Sequence, residues 1–229
     1  MKIIATVDMH GRFPKLPRGD TLCISGDICP LYDHSVMYQN KWIRTKFLTW
    51  CKNLIRDNVV KDIIFSAGNH DWFFEDLMDK GEEDLFRSDL PPRIHYLRDS
   101  EVVIDGKRFW GTPMTPEFCD WAFNRTEPQL DEIFSQIPEG IDVLISHGPP
   151  YEYCDSVNCD SRVTGPLGSR SLIKHVKRVA PYITFAGHIH SGNHTPMKVV
   201  HGNKDINVVN VSLVNEYYKE AYPAFECEI

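Results

Sequence analysis

Five short segments of the chain end in aspartate, asparagine or histidine, the residue types that bind divalent metals through oxygen and nitrogen. The positions concerned are Asp8, His10, Asp27, Asn69, His70, Asp71, His147, His188 and His190. Carboxylates, imidazoles and an amide oxygen suit Mn²⁺, Zn²⁺ or iron. No cysteine stands at the end of these segments, so the pattern does not favour a thiolate site.

The charges of these residue types indicate the chemistry. If two divalent ions bind, Asp8 and Asp27 neutralise half of their charge, whereas histidine and asparagine add none, and a positive surplus remains. A phosphate group is the natural complement of that surplus. Two metal ions about 3.5–4 Å apart bind phosphate oxygens and lower the pKa of a bridging water to about 7, which supplies a hydroxide nucleophile near neutral pH.

A β-prone segment precedes each group of candidate ligands. The segments are residues 2–7, 21–25, 62–67, 142–146 and 182–186. Their nearly continuous apolar character predicts strands buried on both faces. The carboxyl ends of parallel strands converge on one crevice in an open α/β sheet, so ligands from five strands can meet there.

Helical spacing of apolar residues lies between these strands. It predicts helices over 35–57, 128–137 and 172–180, with Ser169 as an N-cap for the last. Turn residues predict hairpins over 101–110 and 197–209. Strands that alternate with helices indicate an α/β protein with mixed sheets. Residues 149–168 lack periodicity, and a loop of this length is usually functional.

Composition limits the classes of protein that fit. The 229 residues are 42% hydrophobic and 25% charged, which fits one globular domain over 1–229, or two small domains, without a membrane span. A net charge of −7 argues against binding to long nucleic acid. Seven cysteines, an odd number, favour reduced thiols and a cytoplasmic location. A second zinc site at Cys119, Cys154 and Cys159 is the weaker alternative, because no close ligand pair completes it.

The ordered motifs resemble those of the calcineurin-like metallophosphoesterases over nearly the whole chain. The motifs are Asp8-x-His10, Gly26-Asp27, Gly68-Asn69-His70-Asp71, His147-Gly148 and Gly187-His188-x-His190. Residues 96–101, 111–113, 137–140 and 146–150 are similar to the small single-domain branch of metallophosphoesterase-domain-containing proteins. The resemblance implies a four-layer α/β/β/α sandwich of two mixed sheets flanked by helices.

The resemblance also implies a role for each candidate residue. Asp8, His10 and His190 bind a first metal, Asn69, His147 and His188 bind a second, and Asp27 bridges the two. His70 binds no metal but stabilises or protonates the leaving oxygen, and Asp71 orients His70. The expected cofactors are two divalent ions, with Mn²⁺ first and Zn²⁺, Fe²⁺ or Ni²⁺ as alternatives.

The expected function is therefore dinuclear phosphoester hydrolysis, in which a metal-bridging hydroxide attacks a phosphodiester or phosphomonoester in line. A small nucleotide such as a cyclic nucleotide is the expected substrate, and the oligomeric state is not predicted. Asn124, Arg125 and Arg162 are candidate substrate contacts, and specificity is expected in 71–84, 118–126 and 149–168. A non-catalytic, metal-stabilised binding module on the same fold is the alternative.

The remaining histidines and an aromatic group are interpreted as structural. His34, His95, His175, His194 and His201 are expected at the surface or in satisfied hydrogen bonds, with His194 the strongest exception because it follows the last motif. Trp42, Phe47 and Trp50 are expected to pack in the core rather than against a nucleobase.

Overall fold

Two β-sheets form the centre of the computed structural model, which describes residues 1–157 and 165–229. The first sheet has the spatial order β13 (Phe225–Glu228), β1 (Lys2–Thr6), β2 (Thr21–Ile24), β3 (Asp62–Phe65) and β4 (Ile94–Tyr96). Strands β1 to β4 are parallel, and β13 is antiparallel to β1. The parallel strands direct their carboxyl ends to the same edge of the sheet.

The second sheet is also mixed. Its spatial order is β11 (Met197–His201), β12 (Lys204–Asn210), β10 (Ile183–Ala186), β9 (Val143–Ser146), β6 (Lys107–Thr112) and β5 (Ser100–Ile104). The four inner strands are parallel, and each edge strand is joined to its neighbour as an antiparallel hairpin. Two short strands, β7 (Thr115–Pro116) and β8 (Asn124–Arg125), pair separately.

Helices connect these strands. They are α1 (Val36–Trp42), α2 (Leu48–Arg56), α3 (Trp72–Lys80), α4 (Glu83–Ser88), α5 (Glu127–Ser135) and α6 (Arg170–Val179). A π-helical turn, Ile43–Phe47, joins α1 to α2, so the helix predicted over 35–57 is confirmed with a wider turn in its middle. Ser169 caps α6 by accepting a hydrogen bond from the Leu172 amide at 3.0 Å.

The layering follows from alternation along the strands. Ile3 and Ala5 of β1 belong to the core between the sheets, together with Phe109 and Phe185 of the second sheet. Ile4, the residue between them, faces the helices. The outer core also takes in Trp42 and Phe47, which confirms their predicted structural role. The mixed α/β architecture with two sheets flanked by helices is therefore confirmed.

Several elements were not predicted from the sequence. They are α3, α4, β4, the pair β7 and β8, and the C-terminal strand β13. The strands among them are short, and β13 is a half-exposed edge strand without an apolar run. Both predicted hairpins are confirmed. In the described part of the chain, the helices are too short or too polar to cross a bilayer.

Candidate metal centre

The predicted ligands meet at the edge where the carboxyl ends of the parallel strands of both sheets come together. They follow β1, β2 and β3 in the first sheet and β9 and β10 in the second. Four of them, Asp8, His10, Asp27 and His188, have positive φ angles between 45° and 64°. Non-glycine residues seldom adopt this conformation, and its strain concentrates at functional sites. The backbone therefore turns sharply after β1, β2 and β10 and directs these four side chains into one crevice.

One group of ligand atoms comes from Asp8, His10 and His190, which lie within 4.8 Å of one another. The Nε2 atoms of His10 and His190 are 3.4 Å apart, and His190 Nε2 is 3.8 Å from Asp8 Oδ2. Two imidazole nitrogens at this separation repel unless they share a proton or a cation. The arrangement fits the first metal site implied by the sequence.

A second group comes from Asp8, Asp27 and His147, also within 4.8 Å. Asn69 Oδ1 lies 2.8 Å from His147 Nε2 and 2.8 Å from His188 Nδ1, so the other two expected ligands join this group. Asp27 faces both groups, because its Oδ1 is 3.5 Å from His147 Nε2 and its Oδ2 is 3.8 Å from His10 Nε2. This position fits a bridging carboxylate.

Backbone carbonyls orient two of the histidines. His147 Nδ1 lies 3.1 Å from the Ser25 carbonyl oxygen, and His190 Nδ1 lies 3.1 Å from that of Asn215. If each Nδ1–H donates to its carbonyl, the Nε2 lone pair is left for a metal, which is the usual arrangement around metal-bound histidines.

The protonation states also fit cation binding. Burial, followed by the neighbouring histidines, lowers the pKa of His10 and of His188 well below the ordinary value, so both rings are neutral at pH 7. Burial raises the pKa of Asp27 to about 7. A buried carboxylate is unfavourable without a positive partner. Bound divalent cations would supply that partner, so the donor set fits the metals that the sequence implies.

His70 lies beside these ligands without joining either group. Its Nε2 is 4.0 Å from Asp27 Oδ2, and its ring packs against Trp121 with centroids 4.2 Å apart. Its Nδ1 is buried and has no hydrogen-bond partner among the described residues. Burial lowers the pKa of His70 to about 4. The contact with the Trp121 ring restrains the imidazole, since no hydrogen bond among the described residues holds its Nδ1.

The buried Asp71 carboxylate organises the loops rather than the His70 ring. It accepts hydrogen bonds from the backbone amides of Ile28, Cys29 and Gly68 at 2.8–3.1 Å. These bonds tie the turn after β3 to the loop after Asp27. Asp71 thus bears on His70 through the backbone of the turn, and its role in orienting His70 stays a prediction.

Gln39 is a positioning residue that the sequence did not reveal. It is buried on α1, where its Nε2 donates to the His70 carbonyl at 2.8 Å and its Oε1 accepts from the Phe73 amide at 3.0 Å. A glutamine three residues before buried Trp42, on the same face of α1, was the only available signal.

The C-terminal segment 211–222 also supports the centre. Ser212 Oγ donates to Asp8 Oδ2, and the Tyr218 ring meets the rings of His10 and His190 at centroid distances of 5.0 and 5.1 Å. His194 Nε2 lies 3.0 Å from the His190 carbonyl, so His194 is structural. None of these residues carries a motif that could have identified it.

Two of the candidate substrate contacts, Asn124 and Arg125, make hydrogen bonds and an ion pair within the protein. Asn124 accepts a hydrogen bond from Thr115 and donates to the Phe118 carbonyl, while Arg125 pairs with Glu75 at 3.4 Å. Neither lines the cavity beside the metal ligands. Arg162 lies outside the described residues.

The structural interpretation of the other histidines is mixed. His175 Nε2 pairs with Asp131 at 2.9 Å, as expected of a satisfied group. The His34 ring instead lies 5.4 Å from the rings of both His70 and Trp121, and its buried Nε2 has no partner among the described residues. Cysteines take no part in the possible metal groups of the described chain, and Cys159 lies outside it.

Comparisons with known proteins agree with this geometry. A family model described as "Calcineurin-like phosphoesterase" matches residues 1–192. Metallophosphoesterase domain-containing protein 1 of Homo sapiens is 32% identical over 211 residues, which cover 83% of this chain and 61% of the relative. UPF0046 protein T07D4.2 of Caenorhabditis elegans is 29% identical over 205 residues, which cover 78% of this chain and 48% of the relative.

A solved crystal structure has a similar fold, with a TM-score of 0.54 at 15% identity over 90% of this chain and 89% of that chain. The present chain spans about three-fifths of the length of the human relative. Because the family model covers most of the chain, including every residue of the two candidate metal groups, the protein belongs to the calcineurin-like phosphoesterases, a family of metal-dependent phosphoesterases.

Proposed function

We propose that the protein is a dinuclear metal-dependent phosphohydrolase that cleaves a phosphodiester or phosphomonoester. The observation that carries this proposal is the convergence of two groups of ligands, all buried except the partly buried His188 and His190, with Asp27 facing both. Two divalent ions, with Mn²⁺ first and Zn²⁺, Fe²⁺ or Ni²⁺ as alternatives, would supply positive charge for phosphate oxygens and lower the pKa of bound water.

The residues of the chain divide the remaining tasks. Asp8, His10 and His190 would hold one ion, Asn69, His147 and His188 the other, and Asp27 both. The Nε2–H of neutral His70 would donate a hydrogen bond to the charge that develops on the leaving oxygen. Gln39 and Asp71 hold the backbone of the turn that carries His70, so the imidazole is positioned before substrate arrives.

A small nucleotide, such as a cyclic nucleotide, is the proposed substrate. The overall charge of −7 supports a small substrate rather than a long nucleic acid. The free thiols of the described cysteines support a reducing compartment and hence the proposed cytoplasmic location.

Metal content and hydrolysis test the proposal together. Purified protein should carry close to two metal ions per chain by elemental mass spectrometry, and with added Mn²⁺ it should hydrolyse bis(p-nitrophenyl) phosphate. The proposal would be contradicted if the protein bound two ions but hydrolysed neither this diester nor any of a panel of mononucleotides and cyclic nucleotides. That result would favour the alternative, a non-catalytic binding module.

The His70→Ala variant separates an enzyme from a binding module. It should retain metal, because His70 is in neither ligand group, and kcat should fall by about 10²–10⁴. The loss should be greater for alkyl than for p-nitrophenyl leaving groups if His70 protonates the leaving oxygen. His201→Ala, at an exposed histidine of the β11 hairpin, is the matched control and should keep full activity. Unchanged turnover in His70→Ala would refute the assigned role.

A further inference from the structure

A cavity of about 490 Å³ lies beside the candidate metal centre and includes part of it. Asp27, Asn69 and His190 contribute to its lining, so a phosphate held at the metals would occupy one end. The volume is in the range of small-molecule sites and exceeds what a phosphate group alone requires. The remaining space must therefore accommodate the organic part of a substrate.

Aromatic rings supply much of this remaining lining. Trp121 packs against His70, and Tyr218 packs against His10 and His190, so both rings adjoin the centre. Phe118 lines the same cavity and leaves 62% of its surface exposed. An apolar ring exposed at a concave site beside fixed polar groups is typical of a ligand-binding surface.

Carboxylates supply the negative charge of the cavity. Glu117 and Glu216 line it together with Asp27, and the lining in the described part of the chain contains no lysine or arginine. The charge of two divalent ions would be balanced in full by Asp8, Asp27, Glu117 and Glu216. A phosphate beyond the one held at the metals would therefore face carboxylates without compensation, which is unfavourable.

We propose that this cavity selects phosphate esters whose non-leaving organic group carries a flat aromatic ring and no second phosphate. Phe118 is the specificity-determining residue for the ring, and Glu117 and Glu216 discriminate against further negative charge. This inference rests on the proposed hydrolase function for its kinetic test. Its binding test is independent of turnover.

The kinetic test compares two diesters with the same leaving group. Thymidine 5′-(p-nitrophenyl phosphate) carries a ring on its second ester group, and methyl p-nitrophenyl phosphate does not. Stacking of one base on an aromatic side chain corresponds to about a 5- to 100-fold effect. We expect wild-type kcat/KM to favour the thymidine ester by this factor and Phe118→Ala to lose most of the preference.

Tyr182→Ala is the matched control, because Tyr182 is 52% exposed and precedes β10, at the end of the strand away from the ligands. It should leave the ratio unchanged. The inference would be overturned if the ratio of kcat/KM for the thymidine ester to that for the methyl ester were the same in the wild type and Phe118→Ala, with both proteins active and equally stable. The hydrolase proposal would remain intact.

The charge test uses the double variant Glu117→Gln with Glu216→Gln. For a p-nitrophenyl ester that carries a second phosphate, kcat/KM should rise about two- to fivefold, the range of exposed charge interactions. Glu132→Gln, at an exposed position of α5, is the control. No rise in the double variant would refute the role of the two glutamates.

Calorimetry supplies the readout without turnover. Phenylphosphonate should bind the Mn²⁺-loaded protein more tightly than methylphosphonate, and Phe118→Ala should abolish that difference. If the protein hydrolyses no ester but shows this preference, the hydrolase proposal fails while the cavity assignment stands. Equal binding of both phosphonates by the wild-type protein would refute the cavity assignment.

Discussion

Replacing Gln39 with leucine should destabilise the protein and slow the reaction, although Gln39 touches none of the candidate metal ligands. Leucine keeps most of the volume and the apolar packing of α1, but it removes both hydrogen bonds of the side chain. The His70 carbonyl and the Phe73 amide, bonded to Gln39 at 2.8 and 3.0 Å, then lose their partner in a buried environment.

The magnitude follows from these two bonds. Each buried group left unsatisfied costs about 1–3 kcal/mol, so the free energy of unfolding should fall by about 2–6 kcal/mol. For a protein of this size, 1 kcal/mol corresponds to a Tm change of about 2–4 °C, and the Tm should therefore fall by roughly 4–24 °C. Release of the turn should also move His70, and a displacement of about 1 Å can reduce kcat by about 10²-fold.

Thermal unfolding and steady-state kinetics on bis(p-nitrophenyl) phosphate check both effects. Asn40→Leu is the matched control, because Asn40 is the adjacent amide on α1 and its side chain accepts from the exposed Arg44. A surface change of this kind should alter stability by less than about 0.5 kcal/mol. A Gln39→Leu protein with wild-type Tm and kcat would show that α1 does not position the turn.

Two further predictions concern the metals. Gly187→Ala should lower the metal content below two ions per chain, because a Cβ at this position would meet the Val7 side chain and lie 2.6 Å from Asp8 Oδ2. Gly106→Ala is the control: a Cβ there meets open space, so this variant should lose some stability but no metal. Metal binding should also release protons at pH 7. Asp27 should contribute about half a proton, because its pKa near 7 leaves it half protonated in the metal-free protein. Calorimetry in buffers of different ionisation enthalpy measures this release. The part released by Asp27 should fall as the pH rises above about 7, whereas ionisation of a metal-bound water adds a part that rises over the same range. Metal binding that releases no proton at about pH 6 would contradict the assignment to Asp27.

The strand-end pattern predicts which side chains come together at the carboxyl ends of the strands, because its signal is local. Each apolar run identifies a buried strand, and the aspartate, asparagine or histidine that follows is placed at the carboxyl end by chain connectivity alone. The ordered motifs then supplied the family and the layered fold. Short elements such as β4 and β13 escaped prediction because three or four residues carry little periodic signal.

The supports of the site depended on contacts between distant parts of the chain. Ser212 donates to Asp8 across 204 residues of sequence, and neither residue indicates the other. Gln39 and Trp121 restrain His70 from an early helix and from a later loop. The aromatic cavity arises in the same way, from segments separated by about a hundred residues.

Local patterns in the chain were therefore enough to propose the metal-binding side chains and to assign each of them to a strand end, because residue type and periodicity are properties of neighbouring residues. Long-range packing set the carbonyl groups that face His147 and His190, the contacts that restrain His70, and the charge and shape of the adjoining cavity. These properties depend on which distant segments come into contact, and that outcome is set by the packing of the whole core rather than by any local pattern.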